Sequence, residues 1–330
     1  MLTRSLIIRK YLHRLPQVLT IARNSTAANL TPKLSPSEEL RLAPHQEKQD
    51  QRAPFAKNLF LGKYDLEFAA FPVPQTTPRF KEFMEWLKPI EDYVNTLDLK
   101  AIDEKGQIPE EVINNLRQLD VFSAAVPQEY GGLGFNVSEY SKLVETLSAI
   151  PALGAYLVKK GTAIEYLVRN GTKNQKSEYL PKIARGELSP TICISEDESG
   201  TSDTSINSIA QLSSCENYFH LNATKTCVFD AKRSNLFIVI AECSDTGHSF
   251  RPEDTMTAFL VDKSLPGIEI SEPEETTGLR GLDLCTVTFN NVKIPRSHCM
   301  GDIGDAAKGF GELFGQGKQY IGAQCIGMTK

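Results

Sequence analysis

The sequence has 330 residues, 41% of them hydrophobic and 23% charged, with a formal net charge of -5. Such a chain is ordinary globular material, long enough for two domains and a sizeable core. Its apolar runs are all too short to cross a membrane, and its charge balance gives no electrostatic basis for a nucleic-acid partner.

The first thirty residues carry Arg4, Arg9, Lys10, Arg14 and Arg23, no acid precedes Glu38, and apolar residues recur at Ile8, Leu12, Leu15 and Leu19. This basic, amphipathic, acid-free profile predicts a mitochondrial transit peptide over residues 1–30. Residues 31–54 are polar and proline-spotted without periodicity, which predicts a disordered linker.

From there helical spacing takes over. Phe80, Phe83, Met84, Leu87, Ile90, Tyr93, Val94 and Leu97 share one face, with Pro89 as an expected kink and Trp86 off the stripe. Pro109 opens a second helix carrying Val112, Ile113, Leu116 and Leu119. The glycines of Val126-Pro-Gln-Glu-Tyr-Gly-Gly-Leu-Gly134 force an irregular turn, after which Asn136 and Glu139 form a capping-box signature. Residues 152–169 predict another helix, whose apolar surface Lys159 and Lys160 complicate, and Thr172 with Gln175 caps the next. Residues 55–188 are therefore expected to form an all-helical domain.

The junction follows. A short β run, Thr191 to Ile194, leads into Ser-Glu-Asp-Glu-Ser-Gly-Thr-Ser-Asp-Thr-Ser-Ile206, a loop dense in hydroxyls and acids around one glycine. A loop of that composition can cradle a phosphate or the polar edge of a heterocycle, and it is equally what an ordinary domain junction uses for turns. Beyond it, short β-rich runs at 218–221, 226–229, 236–241, 256–261, 267–270 and 284–289 predict an antiparallel sandwich or barrel over residues 189–300. Residues 301–330 turn helical again. The fold class expected is α+β.

Several motifs fall away on spacing. Gly311 to Lys318 is one residue too long for a phosphate-binding loop and is followed by Gln319 where Ser or Thr is needed; neither GxGxxG in a βαβ unit nor GxSxG occurs. The seven cysteines lack CxxC spacing and are odd in number, which fits free thiols, and the five histidines lack ligand spacing, so no metal site is expected.

Longer segments carry a resemblance. Val126 to Gly134 resembles the VPxEYGGxG turn of the acyl-CoA dehydrogenase family, and Gly171-Thr172 through Tyr179-Leu-Pro-Lys-Ile-Ala-Arg-Gly-Glu187 resembles its GTxxQKxxYLPxLAxGE helix. Gly278-Leu-Arg-Gly281 through Val292-Lys-Ile-Pro295 is similar to the end of its β-domain. The stretch Asn58-Leu-Phe-Leu-Gly-Lys63 through Phe71-Pro-Val-Pro74 resembles the very-long-chain branch and its paralogue associated with assembly of respiratory complex I.

The resemblance implies a helical domain, a middle β-domain and the first part of a C-terminal helical domain. It implies a mitochondrial flavoprotein, in the matrix or at the matrix face of the inner membrane, that oxidises long-chain acyl-CoA with FAD. It also implies a homo-oligomer in the full-length family protein. The implied cofactor residues are Cys193, Ile194, Ser195, Gly200, Thr201, Cys227 and Phe229, with Thr201 also toward substrate. Where the family's junction loop reads TEPxSGSD, Ser195, Gly200 and Thr201 keep a hydroxyl, the glycine and a hydroxyl, while Asp197 replaces the proline and Ser202 stands at the aspartate. Where the family reads NGSKxWI(T/S)NGG, Cys227 stands at the tryptophan that walls the flavin and Phe229 at the hydroxyl that reaches its N5 edge. A flavin edge without donors, beside a bulky ring, should bind poorly. Lys318 stands at a family arginine, and the catalytic glutamate and last bundle are expected beyond Lys330, leaving no catalytic residue among these positions. The sequence thus leaves open an oxidoreductase, an acyl-CoA binder without chemistry, and a non-catalytic scaffold or complex I assembly factor with protein partners.

Overall fold

The computed structural model describes residues 55–64, 78–198, 206–243 and 255–330. Two compact units divide at Val73 and Pro74. In the first, the described part is helix α1 (Phe55–Phe60) and the turn to Tyr64, with Leu59, Phe60, Leu61 and Tyr64 exposed. The expected transit peptide and linker, and Phe71 to Val73 of the resemblance, lie outside the described residues.

In the second unit, α2 (Pro78–Val94), α3 (Leu99–Lys105), α4 (Glu110–Gln118), α5 (Val137–Leu147), α6 (Pro151–Asn170) and α7 (Lys173–Ala184) form the helical layer. Helix α2 buries Phe83, Leu87, Ile90 and Val94, the stripe its spacing predicts, and runs unbroken through Pro89. Trp86, off that stripe, packs edge-on to Phe135 at 4.9 Å. The short α3 was not foreseen; Asp98 caps it by accepting from the Ala101 amide, and Gly106 ends it in left-handed backbone. Pro109 lies one residue before α4 rather than inside it.

Both capping boxes form. Glu139 closes the Asn136 box and also holds Arg79 in a fork, with Nε at 2.7 Å and the terminal nitrogen at 2.8 Å. That arginine donates onward to the Gly134 carbonyl, pinning the glycine-rich turn against α2. Gly132 is required there: a Cβ would lie 2.1 Å from the Val126 carbonyl oxygen, which already accepts from the Gly134 amide at 2.9 Å and so cannot move aside. Gly132→Ala is expected to destabilise by about 1–3 kcal/mol, read as a lower melting temperature, and an unchanged melt contradicts that packing.

The β-domain comprises β1 (Pro190–Cys193), β2 (Ile209–Leu212), β3 (Tyr218–Phe229), β4 (Leu236–Cys243), β5 (Met256–Asp262), β6 (Ile268–Ile270), β7 (Leu284–Pro295) and β8 (Cys299–Met300). The order is β6-β7-β3-β2-β4-β5-β8, with β1 on β4. The expected antiparallel pairing holds between β3 and β7, β4 and β5, and β6 and β7, and two parallel pairs are added, β1 with β4 and β2 with β4. Two expected runs merge into the single β3, whose pairing with β7 shifts register between Leu221 and Ala223 and between Lys225 and Val228. The chain closes with α8 (Ala306–Thr329). Phe310 and Leu313 are buried, and Phe310 stacks on Tyr166 at 5.0 Å; Tyr320 likewise meets Tyr140 at 4.9 Å. Ile321 and Ile326 are exposed.

Candidate functional site

The junction leaves the sheet at β1, and the far end of β3 returns beside it. The Thr226 amide donates to the Ser195 carbonyl at 2.9 Å, which joins the exposed Ser195 to the segment carrying the exposed Cys227. Cys193 is fully buried, its thiol pushed up to about 12 by burial, and Ile194 is half-buried. Gly200 and Thr201 lie outside the described residues. The structure therefore brings the backbone of Cys193, Ile194 and Ser195 beside that of Cys227, while the Phe229 side chain lies apart from them.

What holds them was not singled out in the sequence. Lys225 is fully buried, and its Nζ lies 2.6 Å from Glu196 Oε1 and 3.1 Å from the Ile194 carbonyl. The other Glu196 oxygen accepts from the Asn207 amide at 2.6 Å, and Ser208 donates to Oε1 through its hydroxyl and its amide. One carboxylate thus ties both ends of the junction loop to β3. Burial pushes the Glu196 carboxyl up, but the hydrogen bonds from Lys225, Ser208 and Asn207 outweigh it and hold the group below its ordinary range.

Phe229 points the other way, into the helical layer. Its ring is 5% exposed and meets Tyr156 edge-on at 5.1 Å, and Tyr156 in turn packs on Phe122. Lys160 Nζ sits 5.5 Å from the Phe229 ring centre and 5.6 Å from that of Tyr156. This lysine is buried and paired with Asp230 at 2.6 Å, and it donates to Ser189 Oγ at 2.7 Å and Ser234 Oγ at 2.8 Å. Burial draws its ammonium below the usual lysine range, and Asp230 opposes that shift. A cavity of about 30 Å³ reaches the cluster between Arg117, Phe122, Tyr156, Lys160 and Ser189, room for a water or two. With its three protons on Asp230, Ser189 and Ser234, Lys160 has none left for an anion in that cavity. The readable signal for this cluster was Lys160 itself, a charge on a helix face that is otherwise apolar.

The description "acyl-CoA dehydrogenase, N-terminal domain" matches residues 90–187, and "acyl-CoA dehydrogenase, middle domain" matches residues 191–292. The chain belongs to the acyl-CoA dehydrogenase family. It is 29% identical to the very long-chain specific acyl-CoA dehydrogenase, mitochondrial, of Rattus norvegicus over 290 residues, which is 84% of this chain and 43% of that protein. The chain thus spans less than half the length of this relative. In fold it is similar to the butyryl-CoA dehydrogenase of Megasphaera elsdenii, with a TM-score of 0.69 at 22% identity over 78% of this chain and 67% of that one. It is also similar to an acyl-CoA dehydrogenase of Bacillus anthracis complexed with FAD, with a TM-score of 0.67 at 23% identity over 75% of this chain and 42% of that one. These likenesses fit the observed order of helical layer, sheet and closing helix. Among the described residues, no helix of this acyl-CoA dehydrogenase family member is long and apolar enough to cross a membrane.

Proposed function

We propose that this chain is a mitochondrial acyl-CoA dehydrogenase-family protein that binds long-chain acyl-CoA or protein partners without oxidising substrate. The observation that carries this reading is the buried Phe229 ring, set against Tyr156 and beneath Lys160. At the position where the resemblance implies a hydroxyl for the FAD edge, the side chain offers no donor and is turned into the core. Cys227, at the position of the implied aromatic wall, is exposed and too small to cover a ring system. The residues present therefore do not fit FAD in its family role. The domain limits of this reading are 55–188, 189–300 and 301–330. Its localisation is the matrix or the matrix face of the inner membrane, and its non-catalytic form is a scaffold of the kind the complex I assembly paralogue suggests.

An electron-acceptor assay of the full chain with saturated long-chain acyl-CoA and added FAD tests it. The expected rate equals a flavin-only blank. Turnover above that blank refutes the reading.

A further inference from the structure

The end of β3 holds two non-glycine residues in left-handed backbone, Cys227 at φ 53° and Asp230 at φ 54°. Residues with side chains adopt this region rarely, and they stay there when their surroundings over-determine them. For Asp230 the surroundings are explicit. Its amide donates to the Asp283 carbonyl at 2.7 Å, and its carbonyl accepts from the Ser234 amide at 2.9 Å. Its carboxylate receives the Tyr156 hydroxyl at 3.0 Å and lies 2.6 Å from Lys160 Nζ, both from α6.

Lys160 reaches further than this pair. It also donates to Ser189, at the start of the junction, and to Ser234, in the turn after β3, with the Pro190 carbonyl as a longer contact at 3.4 Å. Thr191, beside Pro190, donates its hydroxyl to the Phe229 carbonyl at 2.6 Å. One helical ammonium therefore gathers the start of β1 and the turn that follows β3. Arg233 forms a second, longer ion pair with Asp230 at 3.8 Å, on the other carboxylate oxygen, and it also meets Glu110, Asp283 and the Ile108 carbonyl; the 2.6 Å contact belongs to Lys160.

We propose that Lys160 is the positioning residue of the candidate site: through Asp230 and Ser189 it fixes the left-handed end of β3 that presents Cys227 and Phe229. The importance of that segment rests on the reading given under Proposed function, whereas the positioning itself needs no ligand. Removing the ammonium leaves the Asp230 carboxylate buried beside α6, and the segment 227–230 then relaxes to relieve it. Removing both charges leaves nothing to relieve.

The test is amide hydrogen exchange by mass spectrometry on the full chain, together with alkylation of cysteines in the same samples. Lys160→Met is expected to speed exchange over Cys227 to Asp230 by about tenfold or more, while exchange in α2 and α5 stays at the parent rate. The alkylation rate of Cys227 changes relative to Cys215 and Cys325, which are exposed elsewhere and serve as internal references. Lys160→Met/Asp230→Asn returns both readouts toward the parent. If Lys160→Met does not fold, Asp230→Asn, which removes the charge Lys160 holds, is read in the same way. Unchanged local exchange, a uniform rise across the molecule, or a constant Cys227 to Cys215 ratio overturns the proposal. None of these outcomes depends on flavin, so a failure here is distinct from a failure of the assay for oxidation.

Discussion

Lys225→Met is expected to cost the fold about 3–5 kcal/mol in a denaturant titration, because it removes the ammonium that lies 2.6 Å from the buried Glu196 carboxylate. The Lys225 side chain is fully buried and that of Glu196 is 6% exposed, so water cannot take over the lost contact. Ser208 and the Asn207 amide still face the carboxylate, which places the cost below that of a wholly unsolvated charge. Lys225→Met/Glu196→Gln should recover part of the loss, since the amide carries no charge to bury; its oxygen can still accept from Ser208, while its NH2 end gives up the hydrogen bond from the Asn207 amide. The pH dependence has a definite sign. Glu196 has a folded-state pKa held below its unfolded value, so its contribution is present above the unfolded value and is lost as the pH falls through the folded one. Glu196→Gln is therefore expected to flatten the acid limb of the stability curve, and an equally steep limb contradicts the assignment.

Phe229→Ala is expected to destabilise by about 3–5 kcal/mol, the range for truncating a buried aromatic ring. The ring packs against Tyr156, and the Lys160 ammonium lies 5.5 Å from its centre, so its removal opens a cavity beside a buried charge. Phe229→Ser, which restores a hydroxyl of the kind the family uses, should cost a similar amount and gain no flavin. The checking measurement is the denaturation midpoint of both variants against the parent. Values within about 1 kcal/mol of the parent contradict a packed role for the ring.

The helical layer was legible because its signals are local. The stripe of Phe83, Leu87, Ile90 and Val94 has helical spacing, and Asn136 with Glu139 and Thr172 with Gln175 are capping pairs three residues apart. The β-domain was legible as short apolar runs, but not in its pairing: β2, with Ile209 and Gln211 exposed and only Ala210 buried, gives no strand pattern strong enough to read. Cys227 and Phe229 stood out only through the resemblance. The two ion pairs that build the site were out of reach for a different reason, since Lys225 meets Glu196 and Lys160 meets Asp230 across separations that no spacing rule connects. Lys160 gave a partial sign as a charge on an apolar face, and folding answers it with a partner seventy positions away in the chain.

The most direct measurement is the visible absorbance of the purified chain after incubation with excess FAD and removal of free flavin by gel filtration. The expected spectrum has no flavin band, because the Cys227 and Phe229 positions offer neither wall nor donor. A stoichiometric flavin band that bleaches when a saturated long-chain acyl-CoA is added contradicts it.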